Sequence, residues 1–303
     1  MFVIIGIIVV FGAILAGYFM EHGQILVLLQ PAELVIIGGA AIGTVMVANP
    51  LHVLKKMISG LMGALKGSPF NQKRYLQTLK MMFDLCTKAR KEGLVALESD
   101  VENPGKSPLF SKYPDFVKDH HSSDFVCDTL RMAVSGGVDP FDVDQMMEVD
   151  MDIHHQEASQ PVAALSSMAD ALPGLGIVAA VLGVVITMGA LGGPPEEIGK
   201  KVAAALVGTF LGILLCYGLV GPVAANLAKL VEDEHAYQHV LRVAIVAFMK
   251  GTPPIMAVEV ARRAVPARVR PSFQELEKSC RGGGGEATAS ATAPGGAAAP
   301  AEA

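Results

Sequence analysis

Two histidine pairs, His120–His121 and His154–His155, are the residues whose type most readily suggests chemistry, because imidazole is a common metal ligand. Neighbouring positions on a helix point about 100° apart. No cysteine stands nearby to complete a ligand set, so the pairs predict packing and no metal site. The four cysteines (Cys86, Cys127, Cys216 and Cys280) lie far apart without CxxC spacing and read as isolated thiols. No dinucleotide or P-loop glycine pattern, HExxH or GxSxG occurs, so neither a cofactor nor covalent catalysis is expected.

The more informative chemistry lies in what two apolar stretches lack. From Ala171 to Leu191, and again from Val202 to Pro222, there is no Asp, Glu, Lys, Arg or His. A membrane protein that passes protons normally holds an ionisable group inside the bilayer. If these stretches serve ion flow, the titrating carboxylate must come from a partner helix. Each stretch has a proline next to a glycine at one end, Pro173–Gly174 and Gly221–Pro222. A helical proline frees a carbonyl and permits a bend, so the pair predicts two hinges at matched depth. Pro173, Gly176, Ala180, Gly183 and Thr187 form a stripe of small or kinking residues. Ala205, Gly208, Gly212 and Cys216 form a second, with Thr209 beside it. Small residues let helices approach closely in a membrane. The first stripe is expected to form one wall of a pore. Asp170, one turn before Pro173 at the same end, is from its position alone a solvated helix-end charge.

Composition explains where these elements sit. Of 303 residues, 51% are hydrophobic and only 17% charged, against roughly 25% charged in soluble domains. The formal net charge of -5 argues against a nucleic-acid partner. The reading is an all-α integral membrane protein with four transmembrane helices and a large helical cytoplasmic domain between spans two and three. Spans three and four are expected to extend into the cytoplasm. Residues 1–50 hold spans one and two, and 51–170 the cytoplasmic domain. Residues 171–222 hold spans three and four, and 223–280 a helical extension. The Gly/Ala/Pro-rich tail, 281–303, has the composition of a disordered segment.

Finer features follow local rules. Met1–Met20 is long enough to span and lacks the positive n-region of a signal peptide. Pro31 suits the first turn of span two, where Gly39 and Gly43 have GxxxG spacing. Residues 51–68 read as a basic amphipathic surface helix. Tyr75, Leu76, Leu79, Met82, Phe83 and Cys86 define the apolar face of the next. Asp139–Pro140 reads as an N-cap with proline at the first helical position, opening a helix through His155. Span three is placed at 171–191, and span four from Lys201. Lys55, Lys56, Lys66, Lys229 and Arg242 flank the spans on one side, which the positive-inside rule makes cytoplasmic, together with both termini.

Four segments carry a close resemblance: LPGLGIVAAVLGVV from Leu172, VGTFLGILLCYGLVGP from Val207, PPIMAVEVARR from Pro253 and RPSFQELE from Arg270. They resemble the MotA/TolQ/ExbB proton channel family, and within it the MotA-type stator subunits of the flagellar motor. The resemblance covers nearly the whole chain outside the tail. It implies an inner-membrane subunit, five copies surrounding two copies of a single-span MotB whose aspartate carries the ion. It implies that Pro173 and Pro222 couple ion passage to cytoplasmic movement. Thr209 would face the partner aspartate, Asp170 would receive protons leaving the pore, and Ala180 stands where sodium-driven relatives have threonine, which favours protons. Arg90 and Glu98 match the contacts to the rotor protein FliG, and an unbroken helix would set both on one face. The alternatives are an ExbB/TolQ-type energiser, disfavoured by the additional first span, and a non-conducting membrane scaffold.

Overall fold

The computed structural model describes residues 2–189 and 191–281. Helix α1 (Phe2–Met20) is followed by a single turn at Ile25–Leu28, then α2 (Pro31–Ala48) and the amphipathic α3 (Leu51–Lys66). Helix α4 (Gln72–Glu92) enters a second, larger helical body, and short turns at Glu98–Glu102 and Pro114–Lys118 lead to α5 (His120–Ser135). Helix α6 runs unbroken from Pro140 to Met188. Helix α7 (Pro195–Leu215) passes through a π turn at Cys216–Val220 into α8 (Gly221–Met249). Two shorter helices, α9 (Pro254–Ala264) and α10 (Phe273–Arg281), close the described chain. Four helices are long and apolar enough to cross a membrane: α1, the 25–48 segment ending in α2, α6, and the α7–α8 rod. Arg281 ends α10, and the rest of the tail expected to be disordered, 282–303, lies outside the described residues.

Local chemistry accounts for the ends. The Asp139 carboxylate accepts from the Phe141 N–H at 2.8 Å, and Pro140 takes a first-turn position where its missing N–H costs nothing. Helix α6 does not stop near His155 as expected, but continues 33 residues to Met188; the proposed boundary at 170/171 falls inside it. Pro161 and Pro173 are both accommodated within this helix. Span four begins at Pro195 and not at Lys201, because Pro195 opens the helix and Glu196 and Glu197 occupy its first turn, where the helix dipole favours acids. Lys200 then pairs with Glu196 at 3.1 Å, one turn on.

The large helical body has one core. Tyr75, Leu79, Met82 and Cys86 from α4 pack with Phe125, Val126 and Leu130 from α5, and α6, α8 and α9 contribute Met147, Tyr237, Leu241 and Val258. The Tyr237 and Thr78 hydroxyls are 2.7 Å apart, and the Arg74 guanidinium lies 5.1 Å from the Tyr237 ring centroid. The parts of α6 and α8 beyond their apolar spans are thus built into the same core as α4 and α5. In the spanning part, Ile37 and Ala41 of α2 pack on Ala169, Leu172 and Ala179 of α6. Ile177, Val181, Val184 and Val185 form an exposed apolar face on α6, as lipid or neighbouring subunits require.

Candidate functional site

Spans three and four meet along glycine. A Cβ at Gly176 would lie 2.9 Å from the Gly208 carbonyl oxygen, and one at Gly212 would lie 2.6 Å from the Leu172 carbonyl oxygen. A Cβ at Gly183 would meet Ala205 Cβ at 2.7 Å. The two backbones therefore touch, an approach that only small residues allow. This divides the stripe expected to form a pore wall. Gly176 and Gly183 are consumed in packing α6 against α7 of the same chain, and the buried Thr187 hydroxyl donates back to the Gly183 carbonyl at 2.8 Å. Ala180 and Thr209 stay half-buried beside the seam, Pro173 is half-buried, and Asp170 and Pro222 are exposed. Gly39 and Gly43 of α2 have nothing of this chain within 4 Å of a notional Cβ, so their GxxxG face is turned away from the other spans.

Pro222 sits in an altered stretch of helix. The Gly221 N–H donates to the Cys216 carbonyl, an i→i−5 bond that widens the helix by one residue just ahead of the proline. A Cβ at Gly221 would sit 2.8 Å from the Cys216 oxygen, so glycine permits this turn. Pro173 lacks such a turn and is carried inside continuous helix.

One spanning acid escaped the sequence reading. Glu33, in the first turn of α2, is 7% exposed, and its Oε2 has no hydrogen-bond partner among the described residues. That oxygen lies 2.7 Å from where a Gly208 Cβ would stand; the same point is 3.3 Å from the Ala180 amide nitrogen. Gly208 is 13 residues into α7, about 20 Å along its axis from the α6–α7 turn. The carboxyl is therefore well inside the spanning layer, against the α6–α7 seam beside Ala180. The stretches 171–191 and 202–222 lack ionisable groups, but span two supplies one to their surface. Its signal was available: a lone acid three residues into an otherwise apolar helix.

Arg90 and Glu98 are both exposed, and neither joins an ion pair among the described residues. The helix expected to carry both is broken. It ends at Glu92, Gly93 turns the chain at φ 88°, and Glu98 opens a separate short helix. Gly93 adopts the left-handed conformation that side chains resist, which is why the break falls there. The segment is held instead by buried Asp100, which accepts from Lys88 Nζ at 2.6 Å and from the Ser107 hydroxyl at 2.5 Å. Downstream, Glu259 accepts from Arg262 Nε at 2.7 Å and Nη2 at 2.9 Å, and Arg262 Nη1 donates to the Pro271 carbonyl at 3.0 Å. This fork joins the PPIMAVEVARR and RPSFQELE segments and holds the Glu259 carboxyl below the usual carboxylate range.

The histidines come together in a way that adjacent positions could not reveal. His121 of α5, His154 of α6 and Glu234 of α8 each offer a ligand atom, all within 4.8 Å of one another.

A helical membrane body thus has a glycine seam with a buried acid against it, and its two long helices continue into a second helical body. Residues 4–93 match the motility protein A N-terminal family, and 117–239 the MotA/TolQ/ExbB proton channel family. Motility protein A of Escherichia coli (strain K12) is 37% identical over 281 residues, which cover 93% of this chain and 95% of that protein. Chemotaxis protein LafT of Vibrio parahaemolyticus is 34% identical over 274 residues, covering 90% and 96%. In fold the chain is similar to a solved structure of C. jejuni MotAB (TM-score 0.73, 21% identity, 88% of this chain and 95% of that one). It is also similar to the MotAB stator complex of Bacillus subtilis (TM-score 0.70, 24% identity, 90% and 97%). The chain belongs to the MotA family of flagellar stator subunits, within the MotA/TolQ/ExbB proton channel family. The match to the motility-specific N-terminal region disfavours the energiser alternative.

Proposed function

We propose that this stator subunit assembles in the bacterial inner membrane as five copies around two copies of a MotB-type single-span protein, with both termini cytoplasmic. The partner's aspartate carries protons past Ala180 and Thr209, and the methyl at Ala180 offers sodium no ligand. Glu33 belongs to the same route, as a carboxyl this chain places against the seam. Asp170 receives the proton at the inner mouth. Protonation of the partner alters its fit against α6 and α7, and Pro173 and Pro222 pass the change into the long helices. Arg90 and Glu98 then engage the rotor protein FliG.

The observation that supports this most is continuity. α6 and α8 each run from the spanning layer into the core that carries α4, with a proline at the transition. Motion of either helix must move that core, because close-packed interiors transmit strain. The test is torque and proton flux in cells and vesicles carrying Pro173→Ala or Pro222→Ala with the MotB partner. Normal assembly with much reduced torque is expected; full torque from both variants would overturn the hinge step.

A further inference from the structure

The histidines on α5, α6 and α8 lie outside everything the stator reading uses. His121 and His154 have ring centroids 3.3 Å apart, and His154 Nε2 is 3.2 Å from Glu234 Oε1. His121 Nε2 is buried without a hydrogen-bond partner. A histidine serving only as core packing would have that nitrogen satisfied. Here a bare ring nitrogen faces a second imidazole and a carboxylate. Next along the helices, His155 and His235 have ring centroids 4.7 Å apart, with buried Nδ1 atoms also unpartnered, and His155 Nε2 lies 3.6 Å from Glu232.

We propose that His121, His154 and Glu234 bind a divalent late first-row transition metal, Zn2+ by donor type, that clamps α5 to the two long helices. Two imidazoles and one carboxylate are a known zinc donor set, with a water in the fourth position. Bonds of about 2.1 Å would hold the ligand atoms about 3.4 Å apart. The three atoms already lie within 4.8 Å, so side-chain shifts of about 1 Å close the set. All three residues are half-buried, which leaves a path for the ion and for the water. Arg74, whose charge acts on Glu234, is itself paired with Asp119. Three different helices supply the ligands, so the bound ion cross-links the route from membrane to rotor-facing domain.

The experiment uses the full chain with its membrane partner in detergent, stripped with chelator and dialysed against ZnCl2. Bound zinc is counted by elemental analysis, and its ligands are read by X-ray absorption. About one zinc per chain with two imidazoles, no sulfur and a raised thermal midpoint is expected. His154→Ala and the near-isosteric Glu234→Gln should each weaken binding at least about tenfold, the lower end for losing even a supporting contact. His52→Gln, at an exposed histidine of α3, should leave it unchanged. Absence of zinc from the wild-type complex, sulfur ligation, or equal binding by both ligand variants would overturn the site. The wild-type measurement decides even if His154→Ala fails to fold.

Discussion

Glu33 shows how much a single side chain's surroundings matter. A carboxyl this enclosed and without a hydrogen-bond partner is costly unless it serves a site or a route. Glu33→Gln keeps the shape and removes the titrating proton. It is expected to assemble normally and to lower proton flux in vesicles several-fold; unchanged flux would remove Glu33 from the route. Glu259 offers a test by pH. Its folded carboxyl titrates below the ordinary value of 4.5 because of the Arg262 fork. Its contribution to stability is therefore complete above that ordinary value and fades as pH falls through the lower folded value. Glu259→Gln should cost roughly 1.5–3 kcal/mol near neutrality. The difference from wild type should shrink as pH falls below the usual carboxylate range in thermal melts of the purified complex.

Among the elements, the α6–α7 seam carries the sharpest steric claim. A Cβ on Gly212 would meet backbone atoms of Leu172 and Gly176 within 3 Å, and neither can move without shifting a helix. Gly212→Ala is expected to lose about 1–3 kcal/mol, as overpacking does, and to lower the yield of assembled complex. Gly39→Ala introduces a methyl that meets nothing of its own chain within 4 Å. Its monomer stability should match wild type, so any defect it shows would report a neighbouring subunit on that face. The four spanning helices were legible in the sequence, because apolar length marks them locally, although their ends were not. The break at Gly93 was only half legible. Glycine signals a possible helix end, and its positive φ sets the break, but the course of the segment beyond it is held by Asp100, Lys88 and Ser107.

Orientation across the bilayer and contact with the rotor are properties of the whole molecule, and each has a direct readout. All four native cysteines are buried, so an introduced thiol reports its own position. Glu21→Cys, before span two, should react with an impermeant maleimide added outside intact cells, and Ser68→Cys only after permeabilisation. The reverse pattern would invert the topology. If Arg90 and Glu98 engage the rotor through charge, reversing either should reduce motility strongly. Raising ionic strength should weaken rotor binding in pull-downs, since exposed pairs are screened.

Composition, hydropathy and punctuation by proline and glycine determined the membrane class, the helical body between the spans and the paired prolines, because these depend on residues close together in the chain. The same local order carried the motifs that place the chain in its family. Three features waited for the tertiary structure. Glycine stripes pack against whichever backbone arrives, so only the fold could assign Gly176 and Gly212 to each other and leave Ala180 at the edge. Glu33 lies 175 positions before Gly208, yet touches its surface. His121, His154 and Glu234 come from three helices, and adjacency in the sequence pointed to the wrong pairs. Chemistry that needs convergence of distant side chains is decided by packing, and packing is a property of the folded whole.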